Sequence, residues 1–371
     1  MMSTTILDIE RDRKNFYAPA FRIIVAKQNV VRDLHLEITS VSVDNNLETA
    51  DRFTFIVNNA FEIAKREFIT IGGKTLPEFF ELGAPVEITM GYGDQDTLDV
   101  ILEGIITEVR TSFPSSGLPQ LTISGSDHSY PLSKGSASQP FDGKTDSDIV
   151  RQVAQKFKLK PKVDETSVVQ PRTERSQENA RQFVSRLAQR NGFEFFVTAE
   201  KELVFRKPAN NERAVIELEW GRGLLSFSPE INLDQQVTQV EVLGWDIQGK
   251  KQLVGRARSG DEPGRDSGRR SGAQYLEKIC DRDQGTLRVR EPVFSQQEAD
   301  QRAKAILKRR AEGFVGGHGE SIGIPELQPN VNVKLGGLGK LFNTTFYVHQ
   351  ATHTVDSSGY RTSFEVKDTT I

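Results

Sequence analysis

The sequence of 371 residues predicts a mainly β (α+β) fold, with two similar β-barrel domains separated by an α+β insert. Three observations predict it. Apolar and polar residues alternate through much of residues 21–57. A helical stripe followed by a hairpin pattern occupies residues 176–206. A segment beginning at Leu82 also recurs, in altered form, at Leu327.

Residues 1–17 are polar and read as an N-terminal arm. The first barrel is expected over 18–140. Phe21, Ile23 and Val25, then Leu34, Leu36 and Ile38, then Phe53, Phe55 and Val57 repeat with period two, the mark of a strand with one buried face. Polar turns such as Asp44-Asn45-Asn46 are read between them. Val86, Ile88 and Met90 predict another strand ending at the turn Gly91-Tyr92-Gly93-Asp94, and 98–109 and 121–126 complete the set. Many short strands at regular spacing suit a barrel or sandwich.

The insert is expected over 141–212. Thr145 opens a helix with Asp146 and Asp148 in its first turn, where negative charge suits the dipole. Ser176 is read as the cap of the next helix, whose stripe is Ala180, Phe183, Val184, Leu187 and Ala188. Asn191-Gly192 stops it, and the period switches to two at Phe193 and Phe195. Residues 213–320 read as β-rich, with a Gly-rich, charged, mobile loop at 258–273 and a helix at 295–312 opened by the capping box Ser295–Glu298. Residues 321–371 supply the strands that complete the second barrel.

The repeat supports this plan. Residues 82–91 (LGAPVEITMG) lie on 327–336 (LQPNVNVKLG) without a gap. Each is followed by a strand, a Ser-Ser-Gly turn (115–117 and 357–359), a second β run and an aspartate, Asp127 or Asp368. Three such chains would present six similar modules around one axis.

Composition narrows the function. With 36% hydrophobic and 27% charged residues, the chain can bury a real core. A net charge of −3 argues against a protein that works by neutralising phosphates. A single cysteine, Cys280, makes an internal disulfide framework impossible and suits assembly in a reducing cytoplasm. The N-terminus lacks a signal-peptide pattern, and no apolar run approaches membrane-spanning length, so neither secretion by the usual route nor membrane insertion is expected.

Candidate chemistries fail one by one. His349 and His353 have an i, i+4 spacing that suits zinc on a helix, but their surroundings read as β. Asp127-His128-Ser129 holds the letters of a triad, yet neighbours on a strand point to opposite faces. Gly73-Lys74-Thr75 and Gly143-Lys144-Thr145 resemble the end of a phosphate loop, but Phe68 and Ser138 stand where its first glycine belongs. The run from Asp281 to Gly285 lacks the acidic residue a calcium loop needs, with Pro292 at position twelve. Lys304, Lys308, Arg309 and Arg310 read as the solvated face of their helix, and Cys280 as an inert thiol. No catalytic, cofactor-binding or metal-binding residue is assigned.

The residues 91–94 (GYGD), 102–109 (LEGIITEV), 121–127 (LTISGSD), 145–149 (TDSDI), 183–193 (FVSRLAQRNGF), 218–221 (LEWG), 242–246 (VLGWD) and 359–364 (GYRTSF) occur in an order that resembles the phage late control D family. These are baseplate-hub proteins of contractile tails, and the N-terminal part of VgrG spikes is similar. The resemblance implies a homotrimer whose two barrels per chain form a pseudo-sixfold ring, adapting a hexameric inner tube to a trimeric spike. It implies as partners the inner tube or tube-initiator protein, baseplate wedge proteins and a spike, here a separate protein because the sequence ends at Ile371. Assembly in the bacterial cytoplasm into a phage tail or injection-system baseplate is expected, with no nucleic acid as partner. Ring-rim contacts are expected at Gly91, Tyr92, Gly93, Gly336 and Gly337. The alternative is a tail-associated cell-wall-degrading enzyme. Nucleic-acid binding suits the charge poorly, and a carbohydrate module is disfavoured because both tryptophans are read as core.

Overall fold

In the first block, alternating side chains build six strands whose inward residues meet in one core. The computed structural model describes residues 4–5, 8, 11, 18–210, 212–246, 249–262 and 268–371. Most of the expected N-terminal arm and the centre of the expected loop, 263–267, lie outside these. The strands are β1 (Pro19–Val25), β2 (Glu37–Asn46), β3 (Arg52–Asn58), β4 (Pro85–Tyr92), β5 (Asp99–Ser112) and β6 (Gln120–Asp127). They pair in the order β2-β3-β6-β5-β4-β1 around Ile23, Val43, Phe55, Ile88, Ile106 and Ile123. β6 crosses β5 closely at Gly125, where a Cβ would fall 2.1 Å from the Ile105 carbonyl oxygen and 2.4 Å from the Phe53 ring.

β2 differs from expectation. It runs through Asp44, Asn45 and Asn46 instead of turning there, and the turn comes later, with the Asn46 side chain accepting from the amides of Glu48 and Thr49. Buried Val41 and Val43 draw the strand across the core, and its polar end finds partners on another strand.

The insert follows, with β7 (Ala137–Thr145), α1 (Asp146–Lys156), β8 (Lys160–Val163), β9 (Val169–Glu178), α2 (Ala180–Asn191), β10 (Glu194–Val197) and β11 (Glu202–Arg206). Thr145 caps α1 as expected. For α2 the cap is Asn179, which forms a capping box with Gln182, and not Ser176. Pairing of β9 with β7 holds Ser176 in a strand as far as Glu178, so the helix cannot begin earlier. Gly192 ends it at φ 66°, a left-handed conformation that costs glycine little. The predicted stripe is buried in full, with Phe183 stacked on Phe141 at 5.5 Å.

The second block contains β12 (Ile216–Trp220), β13 (Gly223–Ile231), β14 (Gln239–Asp246), β15 (Lys251–Arg258), β16 (Thr286–Arg290), α3 (Gln296–Glu312), β17 (Val315–Ile322), β18 (Asn332–Gly336), β19 (Thr345–Asp356) and β20 (Gly359–Asp368). Six of these close a barrel in the order β12-β13-β17-β20-β19-β18, and β18 returns to β12. Strands β14 to β16 form a side sheet covered by α3, with Val240, Val242, Ala299 and Leu307 between them. Ser295 caps α3, but Glu298 reaches back to the Phe294 amide and not to the cap's own. Its other oxygen is held by Gln170 and Arg302, which fixes where the carboxylate can turn.

The two blocks correspond over five of their six strands. β2, β3, β6, β5, β4 in one order match β13, β17, β20, β19, β18 in the other, with antiparallel neighbours throughout. Two register slips recur too: between Ile38 and Ser40 on β2 as between Leu224 and Ser226 on β13, and between Ile106 and Glu108 on β5 as between Val348 and Gln350 on β19. The correspondence ends at β1 and β12, since β1 is antiparallel to β4 while β12 is parallel to β18. The blocks also share one sheet, because β2 pairs with β19 from Asn46–Gln350 to Val41–Val355.

Residues 268–273 are anchored, in contrast to the loop expected there. Arg269 pairs with Asp368 at 2.9 Å and donates to the Thr370 carbonyl, and Ser271 donates to buried Glu262. Arg269, which suggests solvation in the sequence, binds the end of the last strand instead.

Candidate functional site

The line where the two blocks and the insert meet concentrates the polar chemistry of the molecule. Along β2 and β19, Asp44 Oδ1 accepts from Gln350 Nε2 at 2.7 Å and Thr352 Oγ1 at 3.1 Å, and Ser42 and Thr354 share a hydroxyl contact at 3.2 Å. At the end of this line Tyr92 OH donates to the Gly323 carbonyl at 2.9 Å, and its ring lies 5.7 Å from that of Tyr360. Tyr360 OH and Thr362 both meet Nδ1 of fully buried His353.

A cavity of about 420 Å³ opens beside this line, between α2, α3, β19 and β20, lined among others by Glu194, Lys308, Glu312, Tyr347 and His349. Tyr347 OH donates to Glu194 at 2.7 Å, and Arg206 Nε pairs with the same carboxylate at 3.0 Å. Burial raises Glu194 and Glu312 from their ordinary carboxylate value and lowers Lys308. Burial, with Lys367 and Lys308 nearby, depresses His349 to about 3, so its imidazole is neutral and a weak base near pH 7. Lys308 donates to the Gly192 carbonyl at 2.8 Å, tying α3 to α2. It therefore departs from the solvated face expected of it, because α3 packs on the insert as well as on the side sheet.

A second cluster joins the first block to α2. Ser129 Oγ donates to Asp127 at 2.7 Å and accepts from Arg181 Nη1 at 3.0 Å, while Asp51 accepts from Asn45 and the Asn46 amide. Burial and then the charge of Asp127 push Asp51 up to about 7. His128 turns away toward Glu103, 3.5 Å distant, so Asp127, His128 and Ser129 do not converge. Sequence reasoning missed this cluster, since its members come from three separate segments; only Asp127, the acidic residue that ends β6, is visible as a motif.

His349 and His353 do not meet at a common site, one facing the cavity and the other the core beside Tyr360. Among the described residues no group of three or more His, Cys, Asp or Glu is placed to hold a metal. Cys280 is half-buried, with its thiol against the Leu276 carbonyl.

Of the expected rim residues, Gly91 and Tyr92 end β4 in buried positions, with Tyr92 turned inward between the blocks. Gly93 follows at a half-buried turn. Gly336 ends β18 and Gly337 follows it, and a Cβ on Gly337 would fall 3.2 Å from the Trp220 amide nitrogen. Both tryptophans are exposed, Trp220 by 61% and Trp245 by 58%, against the reading that placed them in the core. Trp220 keeps the inward parity of Ile216 and Leu218 but lies past the barrel's end, and Trp245 stands on the side-sheet face opposite Val240 and Val242.

Two six-stranded blocks, matched over five strands and sharing one sheet, define a fold found in phage tail proteins. The 43 kDa tail protein of prophage MuSo2 from Shewanella oneidensis superposes with a TM-score of 0.69 at 14% identity, over 95% of this chain and 100% of that one. The tail protein from Neisseria meningitidis MC58 gives 0.68 at 14% identity, over 95% and 97%. The E. coli c3393 protein, a component of the type VI secretion system, gives 0.52 at 12% identity, over 93% and 76%. No curated protein matches the sequence. A family model described as the Alg8 N-terminal domain matches residues 20–357, and the chain belongs to that family. Among the described residues no helix is long and apolar enough to cross a membrane.

Proposed function

We propose that this chain is the structural hub of a baseplate in a contractile phage tail or phage-tail-like injection system. In this reading it is a relative of the late control D and VgrG N-terminal proteins that acts as a homotrimer. The observation that carries the proposal is the repeat of strand order and register slips between the two blocks, fused through β2 and β19. A trimer of such chains offers six nearly equivalent β modules, the number needed to meet a hexameric tube, and keeps three-fold symmetry for a spike. Its work is done by shape and interface area, on the obligate scale of more than roughly 2,000 Å².

In this reading the chain assembles in the bacterial cytoplasm and resides in the particle, with tube or tube-initiator, wedge and spike proteins as its neighbours. In this reading Gly93, Gly336 and Gly337 are the rim turns that make such contacts. The test is the solution mass of the purified chain by size exclusion with light scattering, alone and co-expressed with a spike protein. Three times 41.5 kDa, with or without spike, is expected. A monomer or dimer even with spike bound overturns the proposal, and release of soluble fragments from purified cell walls would favour a cell-wall hydrolase instead.

A further inference from the structure

The side sheet carries a surface that the hub reading does not use. In the register of β14 with β15 and β16, Glu241 lies opposite Arg256 on one side and Arg288 on the other. Arg258 and Arg290 share this face, and Trp245 projects from its end. The three strands thus place four arginines and one glutamate on this face, two of the arginines flanking the carboxylate, in a chain whose overall charge is −3. Glu241 accepts from Nε of both Arg256 and Arg288 at 3.1 Å, which lines these two up side by side. Asp283, at the foot of β16, holds the other end of Arg288. Arg258 and Arg290 form no ion pair among the described residues, and both are exposed.

The two edges of this sheet are treated differently. The outer edge of β15 is closed by side chains: Gln296 donates to the Val254 carbonyl at 2.8 Å, and the amides of Arg256 and Arg258 donate to Asp300 and Asp261. On β16, the Gly285 carbonyl accepts from Thr238 and the Glu291 amide donates to Leu243, so odd-numbered residues face β14. The amide and carbonyl of Arg288 and the amide of Arg290 therefore point outward, and none has a partner among the described residues. Proteins usually block such an edge, as β15 is blocked here. We infer that the free edge of β16 docks an extended acidic segment of a partner polypeptide by strand addition. Its backbone pairs with Arg288 and Arg290, and its alternate carboxylates lie over the arginine face.

An added strand places its side chains about 5 Å from those of β16, within reach of both guanidinium groups. A nucleic acid fits less well: its backbone offers acceptors but no alternating donors, and one tryptophan is a poor stacking platform. The test uses the full chain and a fluorescein-labelled peptide of about ten residues alternating glutamate and threonine, read by anisotropy, with hydrogen exchange followed at β16. Saturable binding is expected, weakened by salt and reduced about tenfold or more by Arg288→Glu with Arg290→Glu. Binding should slow exchange at the Arg288 and Arg290 amides. Arg290→Glu alone leaves the Arg288 ion pairs in place and should still weaken binding several-fold, a safeguard if the double variant misfolds. Absence of peptide binding, unchanged affinity in folded variants, or unprotected Arg288 and Arg290 amides would each overturn the inference. Tighter binding of labelled oligothymidylate of the same length would also overturn it and mark the face as one for nucleic acid.

Discussion

Asp127→Asn should change how stability depends on pH, and the expected sign follows from the buried cluster. Asp51 and Asp127 share one guanidinium, Arg181, so the ionised cluster carries one excess negative charge out of water. Asp51 has an ordinary value of 3.8 and is pushed up to about 7, first by burial and then by the charge of Asp127. Between these values the unfolded carboxylate has lost its proton while the folded one keeps it. The folded state therefore binds more protons, and this contribution to stability falls as pH rises from about 4 to 7.

A tenfold change in proton affinity is worth about 1.4 kcal/mol, so the rise from 3.8 to about 7 bounds the whole effect at roughly 4 kcal/mol. Asparagine keeps an oxygen for the Ser129 hydroxyl and removes the like charge, so roughly 1–3 kcal/mol of that fall should disappear. His349 and His353, depressed to about 3 and about 4, act in the opposite direction. They stay neutral when folded but take protons when unfolded below about 6.5, so they make stability rise with pH up to that point. Both are present in either protein and cancel in the difference. Urea unfolding of the two proteins across about pH 5 to 8 measures it. The variant minus wild-type stability should climb with pH. A flat or falling difference would refute the shared-charge account of this cluster.

Two other substitutions test the packing. Phe183→Ala removes a fully buried ring stacked on Phe141 and should cost about 3–5 kcal/mol, read from urea midpoints; a loss near zero would mean that α2 is not anchored as described. Tyr92→Phe leaves the ring beside Tyr360 but strands the Gly323 carbonyl, and should cost about 1–2 kcal/mol by the same measurement, whereas an unchanged midpoint would show that the hydroxyl does not clasp the two blocks.

The parts of the fold legible in the sequence are those written in neighbouring residues. Phe53, Phe55 and Val57 alternate because β3 has one face in the core, and the α2 stripe repeats near 3.6 because one side of that helix is buried. The likeness of residues 82–91 to 327–336 also survives as β4 matching β18. Misreadings came where distant partners override local preference. Ser176 would cap a helix were it not held in β9, and Asp44-Asn45-Asn46 would turn were β19 not alongside. Arg269 reads as solvated until Asp368 is placed next to it. Trp245 reads as core because it falls in the family motif at 242–246, yet strand parity sends it to the outer face. The Asp51–Asp127–Arg181 cluster left almost no local trace.

By itself, then, the sequence determined the β-rich class, the positions of most strands, the two main insert helices and the duplication, since hydrophobic period and glycine turns act over a few residues. Only the tertiary structure decided that the blocks merge into one sheet, that β18 closes the second barrel on β12, and which charges are buried and which arginines remain free. Those outcomes depend on which remote strands come to lie side by side, and a strand edge accepts any partner whose backbone and side chains fit it.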